Sequence, residues 1–157
     1  MLPENLRELA IAAAVDGFDS EAVTGGKFDW GELTLEIAPA KIASVCGFLK
    51  YDQKYIRLSS VTAVDRYPAE PRFEVVYHLH SIERNERLRL KARLRGSDPV
   101  IESVTTVWRG ANWYEREVFD LFGIRFTGHP NLKRIMLPED WEGHPLRKDY
   151  PVTGSRV

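Results

Sequence analysis

The sequence predicts an α+β domain: a two-layer sandwich of a mainly antiparallel sheet with helices on one face, continued by an extended C-terminal tail. Three observations predict it. Apolar residues recur at helical spacing in two early segments, they alternate residue by residue in a later run of segments, and both periods vanish after Thr127. Helix, strand, helix and then several strands is the order of a two-layer domain. The 157 residues suit one globular unit over 1–127 and a tail over 128–157, and a chain of this length buries roughly 70% of its unfolded surface.

Leu2, Leu6, Leu9, Ala10 and Ala13 share a helical face, with Asp16-Gly17 as the expected stop. Gly25-Gly26 reads as a loop. Leu33, Leu35 and Ile37 alternate with Thr34 and Glu36, the pattern of a half-buried strand. Pro39 suits the first turn of a second helix, which buries Ile42, Val45, Cys46 and Leu49. Cys46 is then a small buried hydrophobe rather than a reactive thiol. A strand over 55–65 is expected to turn Ile56, Leu58 and Val64 inward, with a bulge at Ser59-Ser60. Phe73, Val75, Tyr77 and Leu79 form a second alternating set, and Leu88, Leu90, Ala92 and Leu94 a third. The link Glu83-Arg84-Asn85-Glu86 closes these two into a hairpin. Residues 100–108 are too short and mixed to assign. In the helix that follows, Asn112 and Glu115 stand at capping-box spacing and Gly123 sits where a helix closes. Its apolar face is Tyr114, Val118, Leu121 and Phe122.

Composition excludes several classes. With 22 Lys+Arg against 23 Asp+Glu the net charge is -1, whereas nucleic-acid-binding domains carry a basic excess. A single cysteine cannot make an internal disulfide, a four-cysteine zinc site or a self-contained iron–sulfur site, and it suits a reducing compartment. The apolar run over 9–15 falls far short of the ~18 residues a membrane span needs. The N-terminal Met1-Leu2-Pro3-Glu4 lacks the positive start of a signal peptide. No nucleophile elbow, Walker loop or dinucleotide fingerprint is present.

Three groups of residues carry potential chemistry. His78 and His80 lie on one strand face, but no third metal ligand is evident nearby. Arg87, Arg89, Lys91, Arg93 and Arg95 form a basic row on one strand, which an acidic neighbour or plain solvation explains better than nucleic acid. Glu115, Glu117 and Asp120 cluster on the capped helix, where carboxyls of separated pKa could divide acid and base roles. Capping accounts for Glu115, and an Arg116–Asp120 pair at i,i+4 accounts for Asp120, which leaves only Glu117 without a local task. From Gly128 onward Gly and Pro interrupt every period, yet Leu132, Ile135, Met136, Leu137, Trp141, Leu146, Tyr150 and Val152 persist. Such a segment cannot build its own core. It must lie on another surface, its own domain's or a partner's.

The stretch from Trp113 to Pro151 is the most specific part of the chain. Glu115-Arg116-Glu117, Asp120, Gly123-Ile124, Gly128-His129-Pro130, Arg134-Ile135, Pro138, Asp140-Trp141, Gly143 and Pro145-Leu146-Arg147-Lys148-Asp149-Tyr150 form its motif. In type and spacing they closely resemble the signature of the thirty-kilodalton subunit family of respiratory complex I, the NADH–quinone oxidoreductase. The resemblance implies a non-catalytic subunit of the hydrophilic arm, peripheral on the cytoplasmic side of the membrane. NADH, FMN, iron–sulfur clusters and quinone would be bound by other subunits and no cofactor or metal by this one. It implies that the tail wraps the large hydrogenase-like subunit that helps form the quinone pocket, with other hydrophilic-arm subunits nearby. On that reading Trp141, Leu146 and Tyr150 fill pockets, while Arg134, Arg147 and Asp149 make charge-assisted bonds. Glu117, His129, Pro130 and Lys148 are interfacial, and Pro138 and Pro145 stiffen the tether. Asn112, Glu115, Arg116, Asp120 and Gly123 belong to the helix that orients it. Related subunits serve complexes fed by ferredoxin, a deazaflavin or formate, so the electron donor stays open.

Overall fold

A computed structural model describes residues 2–153; Met1 and the last four residues of the predicted tail lie outside them. Two helices, α1 (Ala10–Phe18) and α2 (Ile42–Tyr51), pack with a third, α3 (Ala111–Phe122), on one face of a five-stranded sheet. The strands are β1 (Val23–Asp29), β2 (Glu32–Ile37), β3 (Arg57–Asp65), β4 (Phe73–Ser81) and β5 (Glu86–Leu94), in the order β1-β2-β5-β4-β3. β2 and β5 run parallel, and the other neighbours are antiparallel. A smaller parallel pair, β6 (Val100–Glu102) and β7 (Arg125–Thr127), is bridged by α3. That is the long crossover a parallel pair requires.

The alternating strands behave as their pattern demands. Leu33, Leu35 and Ile37 of β2, Phe73, Val75, Tyr77 and Leu79 of β4, and Leu88, Leu90, Ala92 and Leu94 of β5 are buried in one cluster with Ile42, Val45, Cys46 and Leu49 of α2. Elsewhere the structure departs from the pattern. α1 begins only at Ala10 and continues through Asp16-Gly17; Leu2 and Leu6 reach the core from an irregular segment with a short 3-10 turn at Glu4–Leu6. Gly25-Gly26 is not a loop but lies inside the edge strand β1. The strand needs glycine there: a Cβ on Gly26 would stand 2.7 Å from the Thr34 carbonyl oxygen and 2.9 Å from Leu6. The expected bulge between Leu58 and Ser60 is present, and it reverses the phase of β3. Val61 and Ala63 are therefore buried, whereas Ile56 is exposed.

A buried acid ties α3 to this core. Glu115 is fully buried, accepting 2.6 Å from Ser103 Oγ and 2.7 Å from the Val104 N–H. Asn112 caps nothing: the N-cap is Gly110, without a side-chain cap bond, and Asn112 lies within the first helical turn. Glu115 thus fastens the helix to residues 103–104 and not to its own first turn. Burial pushes its carboxyl up to about 7, against the opposing pull of the Ser103 and Val104 bonds. Burial first, and the proximity of Glu115 second, also push up the Cys46 thiol.

A folded-state pKa above the ordinary carboxylate value means the native protein holds more protons than the unfolded chain between about pH 4.5 and 7. The Glu115 contribution to stability therefore falls as pH rises through that window, by about 3 kcal/mol at most. Glu115→Gln keeps the shape and removes the titration. We expect the variant to gain stability relative to the parent between pH 5 and pH 8 in urea unfolding. An unchanged difference across that range would show that the carboxyl does not titrate there. The comparison cancels His78 and His144, whose lowered pKa values act with the opposite sign.

Candidate functional site

The C-terminal end of α3 is where the signature residues converge. Asp120 is fully buried, and its Oδ2 accepts three successive peptide N–H groups, from Ile135 at 3.0 Å, Met136 at 2.7 Å and Leu137 at 2.9 Å. Its Oδ1 accepts from Arg134 Nη1 at 2.7 Å. Burial alone would raise this carboxyl, but the Arg134 guanidinium and the three peptide donors outweigh it and hold Asp120 below the usual range. The expected Arg116–Asp120 pair is not formed. Arg116 donates instead to the Lys133 and Arg134 carbonyls and stacks over Trp113.

Beyond this hub the tail returns along its own domain. Arg134 Nη2 donates to the carbonyls of Trp141 and Gly143, which folds residues 134–143 into a closed loop. The last carbonyls of α3 are then taken in turn: Asp120 O by His144 Nδ1, Leu121 O by the Leu146 N–H, and Phe122 O by Arg147 Nε. These are the acceptors a helix leaves unsatisfied at its C-terminus, and the Arg147 cation suits that end of the dipole. Gly123 closes α3 as expected, in the left-handed region at φ 73. A side chain there would also collide with the tail, since a Cβ would lie 2.6 Å from His144 and 2.7 Å from Arg147. The far end is pinned by a relay of charges. Arg72 grips Asp65 with two bonds of 2.9 and 2.8 Å and Asp149 with two of 3.0 and 2.6 Å, while the Lys148 N–H donates to Asp65. The Arg72 fork first, then the Lys148 and Tyr67 peptide donors, hold Asp65 far below the ordinary carboxylate range against its burial.

The sequence-predicted residues therefore divide. Arg134, Arg147 and Asp149, expected to bond outward, are engaged with their own domain. Leu146 stays 51% exposed, and Trp141 and Tyr150 are half-buried, the latter lying over Gly143. His129 Nδ1 accepts from the Asn131 N–H, so its Nε2 proton faces the Asn112 carbonyl at 3.2 Å. Pro130, Pro138 and Glu117 are exposed, Pro145 half-buried. Glu115 and Asp120 have their pKa values pushed apart as an acid–base pair would need, yet both are 0% exposed, so substrate has no access to them. Asp65, Arg72 and Ser103 went unrecognised in the sequence. Their roles depend on partners between seven and eighty-three positions away, and no local pattern encodes such pairings.

Three of the five residues in the basic row pair with acids of their own sheet, a use the sequence did not indicate: Arg89 with Glu32, Lys91 with Glu74 and Arg93 with Glu36, all on the sheet face turned away from the helices. His78 is locked between Ser60 Oγ and Arg89. No group of three or more His, Cys, Asp or Glu able to hold a metal occurs among the described residues, and no helix there is long and apolar enough to cross a membrane.

Comparison with known proteins identifies relatives of the chain and of its fold. Residues 35–156 match the family model described as respiratory-chain NADH dehydrogenase, 30 Kd subunit. Over 125 residues the chain is 51% identical to an NADH-quinone oxidoreductase subunit of Geobacter sulfurreducens, covering 79% of this chain and 77% of that one. A trypsin-resistant fragment of Nqo5 superposes with a TM-score of 0.67 at 28% identity, over 76% of this chain and 97% of the fragment. The membrane-bound sulfane sulfur reductase, an archaeal respiratory membrane complex, contains a chain that superposes at 0.77 with 27% identity, over 90% of this chain and 84% of that one. With a clamped tail behind a two-layer domain and these matches across most of its length, the chain belongs to the respiratory-chain NADH dehydrogenase 30 Kd subunit family.

Proposed function

We propose that this chain is a non-catalytic structural and assembly subunit in the hydrophilic arm of a proton-translocating NADH–quinone oxidoreductase. It docks on the large hydrogenase-like subunit of the quinone site, on the cytoplasmic side of the membrane. NADH, FMN, iron–sulfur clusters and quinone belong to other subunits, and the isolated chain has no turnover of its own. One observation carries the docking mode. The tail's charged anchors are consumed within the domain, while large apolar side chains around α3 stay outside: Trp113 is 61% exposed, Met136 64% and Leu146 51%. Exposed apolar groups gathered on a rigid frame suit a protein interface. The frame also lowers the entropy cost of binding, since the tail is folded before the partner arrives.

A second reading keeps the architecture and changes the electron donor. It is favoured by the likeness to a chain of the sulfane sulfur reductase complex, and on it the complex takes electrons from ferredoxin, a deazaflavin or formate. The higher identity to an NADH-quinone oxidoreductase subunit supports the first reading. Donor oxidation by the purified complex separates them.

Two outcomes test the docking mode. Deletion of residues 128–157 should abolish copurification with the large hydrogenase-like subunit, and equal recovery of the truncated chain would overturn docking through the tail face. Asp120→Ala leaves the Arg134 charge without its carboxylate and three peptide donors unpaired. We expect it to lower domain stability by about 3 kcal/mol. It should also open the tail to trypsin at Lys133, Arg134 and Arg147 and weaken copurification about tenfold. A variant whose tail stays protease-resistant would show that Asp120 does not hold it.

A further inference from the structure

The sheet face turned away from the helices has one end where charge is left unbalanced. In register, Arg57 of β3 stands opposite His80 of β4, and His80 stands opposite Arg87 of β5. Three adjacent strands thus present Arg, His and Arg side by side. Toward the middle of the sheet basic residues of β5 meet acids, as Arg89 meets Glu32 and Lys91 meets Glu74. The end row meets none: Arg57 and Arg87 are exposed, and their side chains have no ion-pair or hydrogen-bond partner among the described residues. Arg57 and Arg87 carry like charge with no acid paired to either, and like charges on one face repel. A row of this kind therefore gains from an anionic occupant.

The row edges a cleft of about 430 Å³. Arg57, Ser60, His78, His80, Arg87 and Arg89 line it. Its hydrogen-bonding sense can be worked out. Arg89 Nε can only donate, and it points at His78 Nε2 from 3.2 Å, so that nitrogen is an acceptor and the ring proton sits on Nδ1. Nδ1–H then donates to Ser60 Oγ at 3.0 Å, which leaves the Ser60 hydroxyl proton free to turn into the cleft. The β3 bulge between Leu58 and Ser60 sets this register. Glu32 reaches the same cleft, but its carboxylate is bound 2.6 Å from Arg89 and cancels that charge alone. The surplus belongs to Arg57 and Arg87.

We propose that this cleft is an anion-recognition site that takes paired carboxylates from an acidic segment of a neighbouring protein subunit. Two guanidiniums two strands apart are separated by about 10 Å of sheet. That span fits two carboxylates, each held by a planar Arg fork, better than one phosphate. The Ser60 hydroxyl supplies a neutral donor between them, beside the His80 ring. The site is independent of the tail, because all of its residues precede Gly96, and so it does not stand or fall with docking of the tail face on the large subunit.

The test uses the full chain, with amide chemical shifts followed during titration with an acetylated, amidated Glu-Glu-Gly-Glu-Glu peptide. Inorganic phosphate, vesicles of anionic phospholipid and the matching lysine peptide are titrated in parallel. We expect the acidic peptide to shift residues 57–60, 78–80 and 87–89, to weaken several-fold as salt is raised, and to bind better than phosphate or vesicles. Arg57→Ala/Arg87→Ala should weaken binding at least about tenfold with an unchanged spectrum elsewhere. Both residues are exposed and unpaired among the described residues, so the fold does not rely on them. Peptide binding that survives the double variant overturns the proposal. So do shifts that map elsewhere, equal or tighter binding of phosphate, vesicles or the lysine peptide, and no binding of the acidic peptide at all.

Discussion

The arrangement of this protein rests on one carboxylate. Asp120 lies at the C-terminal end of α3 without access to water, where an ionised acid is tolerated only if its lone pairs are filled. Four donors fill them, and three are consecutive peptide N–H groups that can reach one oxygen only if residues 135–137 curl around it. The curl sets the direction in which the chain leaves the helix. Every later contact of the tail, with the α3 carbonyls and then with Arg72 and Asp65, presupposes that direction. A partly apolar segment interrupted by proline and glycine thereby acquires a definite course without building a core.

Five residues apart on the same helix, Glu115 and Asp120 are equally buried and opposite in charge preference. The difference lies in their donors. Asp120 has a guanidinium and three N–H groups, enough to keep it ionised. Glu115 has one hydroxyl and one N–H, with His129 Nε2 4.0 Å away, and desolvation prevails. Their functions differ accordingly. Glu115 secures α3 to the segment after β6, so that the helix can serve as a fixed base. Asp120 secures the tail to that base.

Much of the domain was legible because its patterns are local. The alternation in β4 and β5, the buried stripe of α2 and the left-handed Gly123 all follow from side-chain period or backbone freedom. What escaped depends on distant parts of the chain. Gly25-Gly26 has the composition of a loop, yet the approach of Leu6 and Thr34 makes glycine the residue that fits within a strand. The Asn112–Glu115 spacing satisfies a capping box, but Ser103 and Val104 compete for the same carboxylate and prevail because they are buried with it. Arg116 and Asp120 each found stronger partners in the tail than in one another. In the signature segment the residue types were readable and their direction was not: Arg134, Arg147 and Asp149 were identified as anchors, and only the fold shows them anchoring the tail to the domain that carries it.

That direction bears on how such a tail recognises a partner. A flexible segment whose arginines and aspartate bonded outward would be ordered and desolvated at the moment of binding, and polar groups left imperfectly paired would erode the gain. Here those groups are satisfied beforehand, by helix carbonyls and by Arg72. What the proposed docking face offers is Trp113, Met136 and Leu146, whose burial is favourable without any requirement for polar pairing. Charge is found instead at the far end of the open sheet face, where Arg57 and Arg87 have no counter-ion among the described residues. Apolar contact around a rigid α3 supplies affinity and is indifferent to register, whereas paired charges supply orientation and are weak when exposed. On the proposed reading, separating the two on one small domain lets the subunit be held firmly at one place and aligned at another.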